Sequence, residues 1–265
     1  MPILHHFLLL NPVRVWLSRL GLLNSSSPVV AFAKKCIVDR FNSKHPELTA
    51  NTGNGGTETR DFLSRFLEAG EKNPEFMTGD RILTMTTTNM FAGSDATAIT
   101  LRAVFYYLLR NPSCMQRLME ELEQEEQGGR FSRDDGLVLW SEAWGLPYLG
   151  AVIKEALRCH PAAGLSLERI VPPAGITIDG NFLPGGTIVG CSPWTIHLDQ
   201  SVFGPKADQF RPERWLALSN DKASEMNNAL FSFGAGSRTC IGKNISLLEM
   251  HKLVPAVLRR FEVCH

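Results

Sequence analysis

The chain has 265 residues, 44% of them hydrophobic, which is ample for a cooperative core in one or two domains. Its 27 Lys and Arg balance 27 Asp and Glu, which excludes the basic footprint of a nucleic-acid binder and a strongly acidic surface. Six cysteines (Cys36, Cys114, Cys159, Cys191, Cys240 and Cys264) lie outside any CxxC and are spread along the chain, so reduced thiols are expected rather than a disulfide framework.

At the start, the apolar run Phe7 to Leu10 covers four residues. A bilayer crossing needs roughly 20, and no basic region precedes the run, so neither a transmembrane segment nor a signal peptide is expected here. Leu8, Leu9, Val13, Trp16, Leu17 and Leu20 fall at roughly helical spacing. They read as a stripe packed on the rest of the fold, with a peripheral apolar surface as the alternative. Residues 12–43 read as one or two helices, and 51–60 as a polar, Gly-containing loop. A short amphipathic helix is expected over 61–69, with Phe62, Leu63, Phe66 and Leu67 on its apolar side.

The longest periodic stretch is 78–109. Thr78 suits its N-cap, Asn111-Pro112 ends it, and Gly93, Ser94 and Asp95 weaken it mid-span, which suggests a packing or functional reason. A charged helix follows over 113–127, and Gly128-Gly129 breaks it. Another helix over 146–159 stops before Pro161. Between 164 and 190, short β-branched runs set among Pro and Gly pairs predict short strands with tight turns. Residues 205–227 read as mostly coil with a short helix, 230–233 as extended, and 241–259 as helix. The fold class is therefore mainly α with small β-sheets.

The strongest signal is the segment Phe233-Gly234-Ala235-Gly236-Ser237-Arg238-Thr239-Cys240-Ile241-Gly242. Gly234, Gly236 and Gly242 permit close backbone approach and left-handed conformations around one cysteine. Cys240 is expected near the first turn of the following helix, where free N–H groups and the dipole favour a thiolate. Arg238, two residues away, can bind an anion. A thiolate beside an anion clamp suits a haem, which carries both iron and propionates. Other readings are weaker. A dinucleotide fingerprint starting at Gly234 would need glycine at Thr239, and a phosphate loop would need four residues between Gly236 and Gly242 instead of five, with Ser or Thr at Asn244. No Cys or His lies at zinc-ligand spacing, and His160 and His197 have no sequence link to Cys240 that would mark a cysteine protease. A purely structural turn remains the bland alternative.

These residues resemble the cytochrome P450 pattern Phe-x-x-Gly-x-Arg-x-Cys-x-Gly at every fixed position: Phe233, Gly236, Arg238, Cys240 and Gly242. The resemblance implies a cytochrome P450 fold, haem (iron protoporphyrin IX) as cofactor and Cys240 as the iron ligand. It also implies that Arg238 pairs with a propionate and that Phe233 shields the sulfur. The axial thiolate favours O–O cleavage. Glu155 and Arg158 share a helix face at i,i+3, which read alone suggests a surface ion pair. With Arg214 of Pro212-Glu213-Arg214, they resemble the family's buried network behind the haem, a structural role in which loss of one partner leaves unpaired charge. Arg169 resembles the second propionate-binding arginine, against the bland reading of a surface arginine. Ala163, Gly164, Leu165, Ser166 and Leu167 would line a substrate pocket, small or apolar apart from Ser166, which favours an apolar substrate. His197 is expected to pack or hydrogen-bond in the adjacent loop rather than ligate iron, since a second protein ligand would block the oxygen side.

Phe91 to Thr97 resembles the family's oxygen-binding segment, in which Asp95 would feed protons and the next residue is usually threonine. Here that residue is Ala96, which offers no hydroxyl. Thr97 is the neighbouring candidate, but it points about 100° around the helix. Conventional monooxygenation is expected first, with peroxide leakage or peroxide- or rearrangement-type chemistry as alternatives.

The resemblance is strong from about residue 80 onward and divides the chain into four parts. These are a helical region (1–79), the oxygen-side to Glu-x-x-Arg helices (80–160), short strands with the Pro-Glu-Arg segment (161–227), and the cysteine loop with its helix (228–265). It implies the C-terminal portion of a longer enzyme, truncated at the N-terminal side and ending before a last hairpin, as a truncated product or an incomplete gene model. The flavour is that of fungal microsomal members of secondary metabolism. The implied partners are an apolar small-molecule substrate and an NADPH-dependent reductase. The implied location is the cytoplasmic face of the endoplasmic reticulum for a full-length relative, and cytoplasmic or peripheral for this chain. A catalytically impaired remnant, and a helix-rich interaction module without cofactor, are the competing expectations.

Overall fold

The computed structural model describes residues 28–42, 61–216 and 218–263, without the side chains of Phe41 and Asn42. The expected stripe and helix ahead of residue 28, the loop at 51–60 and Cys264 lie outside the described residues. In chain order the helices are α1 (Pro28–Asn42), α2 (Phe62–Lys72), α3 (Gly79–Arg110), α4 (Pro112–Gln127), α5 (Trp140–Ala143), α6 (Pro147–Cys159), α7 (Pro193–Ile196), α8 (Gln200–Phe203), α9 (Asn220–Ala229) and α10 (Lys243–Arg260). The strands β1 (Arg169–Ile170), β2 (Ile176–Ile178), β3 (Asn181–Leu183) and β4 (Ile188–Val189) fall between α6 and α7. The mainly helical reading with small sheets therefore holds. Among the described residues, no helix is long and apolar enough to cross a membrane.

The chain divides into two compact units, with the boundary between Phe91 and Ala92 inside α3. In the first, Asp61 caps α2: its Oδ1 accepts the Ser64 N–H at 2.8 Å, while Arg40 of α1 donates to its other oxygen at 2.5 Å and to Ser64 Oγ at 2.8 Å. Thr78 stands at the start of α3 as expected, its Oγ1 accepting the Arg81 N–H at 3.4 Å. Gly93 to Asp95 do not interrupt α3, which runs on without a break to Arg110.

The second unit is built around α6. Leu149, Val152, Ile153, Ala156 and Leu157 are buried on several sides against Leu108 of α3, Leu118 and Leu122 of α4, and Met250, Val254 and Leu258 of α10. A helix apolar on most of its surface is a central helix, and this one is covered by three others. Its N-terminus is capped from outside: Glu121 of α4 accepts the N–H groups of Tyr148 and Leu149 at 2.7 and 2.9 Å. Burial raises the Glu121 carboxyl above its usual range, and these two donors partly offset that effect. Glu121→Ala is expected to lower the urea unfolding free energy by about 1–2 kcal/mol at unchanged m-value, because two helix-end donors lose their acceptor. Glu142, within α5, reaches back to the chain before it, accepting from the N-cap Leu139 N–H at 2.8 Å and from Ser132 N–H at 2.9 Å.

Both sheets are two-stranded and antiparallel. β1 pairs with β4 (Arg169 opposite Val189), and β2 with β3 (Ile178 opposite Asn181). The second is a two-residue hairpin turning at Asp179 (φ 49°) and Gly180 (φ 75°), the left-handed pair that matches strand twist. Residues 231–233, expected to be extended, instead form a 3-10 turn. The reason is tertiary: Ser232 Oγ donates to the Leu157 carbonyl at 2.7 Å and Phe231 N–H to His197 Nε2 at 2.9 Å, and both bonds pull the segment onto the end of α6.

Candidate active site

The cysteine loop leaves that 3-10 turn through Gly234 (φ 69°) and passes Gly236 (φ 66°), two left-handed positions that a side chain would strain. They fold the chain back so that the Cys240 N–H donates to the Phe233 carbonyl at 2.8 Å, while Thr239 Oγ1 donates to the Gly236 carbonyl at 2.9 Å. Gly242 is the N-cap of α10, so Cys240 lies in the turn just before the helix and not in its first turn. Lys243 N–H nevertheless reaches back to the Cys240 carbonyl at 3.3 Å. Cys240 and the fully exposed Ile241 after it stand at the surface. The contrast with Cys159 is chemical. Burial, and then the charge of Glu155, push the Cys159 thiol up to about 12, which leaves it protonated and inert.

Arg238 from this loop and Arg169 from β1 line one open cavity of about 690 Å³, together with Glu168, Ile170 and Ile188. Arg169 also donates to the Glu168 carbonyl at 2.8 Å. Two arginines from segments far apart in sequence thus meet at one recess whose other walls include apolar side chains. Leu167 lies beside Gly234 of the cysteine loop, its Cδ1 3.9 Å from where a side chain there would begin. The segment Ala163 to Leu167 therefore runs next to the loop, with Leu165 87% exposed.

Behind the loop, Glu155, Arg158 and Arg214 form a buried cluster. Arg158 donates twice to Glu155, from Nε at 2.9 Å and from Nη2 at 2.8 Å, and Arg214 Nε donates to Glu155 Oε1 at 2.8 Å. The remaining guanidinium donors hold the backbone of the meander between α7 and the Pro-Glu-Arg turn. Arg158 reaches the carbonyls of His197 (2.6 Å), Ala207 (2.5 Å) and Gln209 (3.0 Å), and Arg214 those of Phe203, Lys206 and Gln209. Both side chains of the Glu155–Arg158 pair are fully buried, unlike the surface pair that their spacing taken alone would suggest. Sequence reasoning missed two donors to Glu155, Trp215 Nε1 and the Arg211 N–H, each at 2.8 Å. Trp215 directly follows the Pro-Glu-Arg run and was the available signal. Glu213 of that run faces outward to Tyr148 OH (2.9 Å) and Arg117 (3.2 Å).

His197 is bound on both ring nitrogens, to the Arg158 carbonyl at Nδ1 (2.8 Å) and the Phe231 N–H at Nε2 (2.9 Å). Only a neutral imidazole with its proton on Nδ1 satisfies both. Burial lowers its pKa to about 4. His197 thus hydrogen-bonds to α6 and to the 3-10 turn that leads into the cysteine loop.

On α3, Asp95 and Ala96 are exposed and Thr97 is buried. The Thr97 hydroxyl shares a 3.2 Å hydrogen bond with Ser246 Oγ in the first turns of α10. It ties α3 to the helix that follows the cysteine.

The second unit thus carries an exposed thiol on a glycine-folded loop, an arginine pair at one recess and a buried acid–arginine cluster bracing the meander. The sequence matches the family model for cytochrome P450 over residues 5–265. It is 44% identical over 96% of its length to a cytochrome P450 monooxygenase of Aspergillus terreus, and 44% identical over 89% to the cytochrome P450 monooxygenase cicH of Emericella nidulans. It is 47% identical over 66% of its length to the pisatin demethylase of Fusarium vanettenii. The chain belongs to the cytochrome P450 family, whose members are in general haem-dependent. It spans about half the length of the curated relatives it matches, 49% of the first and 45% of the second.

Proposed function

We propose that this chain carries the haem-thiolate side of a monooxygenase that oxidises a small to medium apolar organic substrate, using dioxygen and electrons from an NADPH-dependent reductase. The observation that carries this reading is the convergence of the Cys240 loop with Arg169 and Arg238. The donor set fits a haem: one exposed sulfur for the iron, two guanidiniums at a common recess for two carboxylates, and exposed Ile170, Ile188 and Ile241 for the apolar ring. A haem held there by Cys240, Arg169 and Arg238 would supply dioxygen activation, which a thiolate ligand favours. The chain's own residues do the rest. Cys240 ligates, Phe233 covers the sulfur, Arg169 and Arg238 orient, and Gly236 and Gly242 let the backbone approach. Asp95 stands exposed on α3 as the candidate proton donor. The apolar substrate is supported by Ala163 to Leu167, and the demethylase name of one relative makes oxidative demethylation one form the reaction can take.

The test is a ferrous–carbon monoxide difference spectrum of the protein expressed with haem supplied, with Cys240→Ala alongside. A red-shifted thiolate-type band in the wild type that vanishes in the variant is expected. No band, or a band indifferent to Cys240, overturns the reading.

The lost hydroxyl at Ala96, with Thr97 engaged by Ser246, favours a second reading in which consumed electrons emerge partly as hydrogen peroxide. Ala96→Thr is then expected to raise the share of NADPH recovered as oxidised product. An unchanged peroxide yield counts against it.

A further inference from the structure

We propose that Trp194 of α7, outside the segment that lines the substrate site, sets the position of Ala163 to Leu167 by packing on Gly164, and is thereby a specificity-determining positioning residue. This rests on the reading above that the segment faces substrate. The indole occupies the place of a side chain at Gly164: a Cβ built there would lie 1.6 Å from Nε1, 2.2 Å from Cδ1 and 2.7 Å from Cε2. No alanine fits unless the ring or the backbone moves. His160 also meets Trp194 edge-on at 5.6 Å, while the indole stays 43% exposed. His160 is the C-cap of α6, so it sits at the end of the helix whose Glu155 and Arg158 are locked in the buried cluster. The indole thus bridges the end of that helix and the backbone of the lining segment.

Three neighbouring contacts keep the two strands of chain in register. Ser192 Oγ donates to the Gly164 carbonyl at 2.9 Å and Leu167 N–H to the Cys191 carbonyl at 3.0 Å. A Cβ on Gly190 would lie 3.1 Å from Ser166 Cβ. Segment 163–167 lies outside the strands, so this side-chain wedge, with the Ser192 and Cys191 bonds, decides where Leu165 is presented. A bulkier or smaller residue at 194 shifts that apolar side chain and changes which sizes of apolar molecule fit.

The experiment compares Gly164→Ala, Trp194→Ala, Trp194→Phe and the double variant Gly164→Ala/Trp194→Ala. Two readouts are taken: amide exchange at Leu167, and spin-state titration of the haem-loaded protein with toluene and biphenyl. Gly164→Ala is expected to lose protection at Leu167, and the double variant to regain it, since deleting the indole makes room for the methyl. Trp194→Ala is expected to change the biphenyl-to-toluene affinity ratio by roughly tenfold or more with the carbon monoxide band intact, while Trp194→Phe stays near the wild-type ratio. Unchanged Leu167 protection in Gly164→Ala, or an unchanged ratio in Trp194→Ala with the band intact, overturns the proposal. A wild-type protein without the thiolate-type band defeats the haem reading and the specificity role with it. The exchange measurement still decides separately whether Trp194 positions the segment.

Discussion

Replacing Glu155 with alanine is expected to remove about 3–5 kcal/mol, the range for breaking a buried charge cluster by deleting one partner. The carboxylate accepts five hydrogen bonds: two from Arg158, and one each from Arg214 Nε, Trp215 Nε1 and the Arg211 N–H. Deleting it leaves two guanidiniums near one another without their common anion, Arg158 fully buried and Arg214 nearly so. Domains are stable by only about 5–15 kcal/mol, so the loss approaches the whole margin. A collapsed or non-cooperative urea transition in Glu155→Ala is the expected result, with haem uptake lost as the meander behind the cysteine loop loosens. Glu155→Gln keeps the shape but brings an NH2 group toward the guanidinium donors, so it is expected to recover only part of the stability. A wild-type transition midpoint in Glu155→Ala would show that the cluster contributes shape without stability. Exchanging all three partners for apolar residues would remove the unpaired charge but leave the meander carbonyls and the Trp215 and Arg211 donors without partners, so it is expected to destabilise as well.

The second large effect is a pH dependence set by His197. Its imidazole is held neutral by burial and by the Phe231 N–H donated to Nε2, and a proton there would place donor against donor. The folded pKa, about 4, lies below the unfolded value near 6.5. The unfolded chain therefore binds the proton more readily. The stabilisation is fully present above pH 6.5 and is lost as pH falls toward 4. A shift of this size corresponds to roughly 3 kcal/mol. Unfolding free energies measured by urea between pH 7.5 and 4 should fall across that window, and the decline should flatten in His197→Phe, which cannot take up the proton. A wild-type slope retained in that variant would assign the acid sensitivity elsewhere. His251 adds in the same direction, since burial also lowers its pKa.

Much of this protein was legible from local chemistry. Thr78 starting α3, the stop at Asn111-Pro112 and the short strands with tight turns over 164–190 follow from capping and turn preferences that act within a few residues. The Cys240 loop was legible for the same reason, since its left-handed positions must be glycine whatever surrounds them. What the sequence could not determine is carried by bonds between distant segments. The 3-10 turn at Phe231–Phe233 is held by Ser232 bonded to Leu157, 75 residues away. The α6 cap comes from Glu121, 27 residues upstream of Tyr148. Thr97 is turned to Ser246 across 149 residues, and the place of a side chain at Gly164 is taken by an indole 30 positions later, at Trp194. Helical period and turn propensity say which face of an element is apolar. They carry no information about which donor elsewhere in the chain will meet a given carboxylate or carbonyl, and that is settled only when the helices pack.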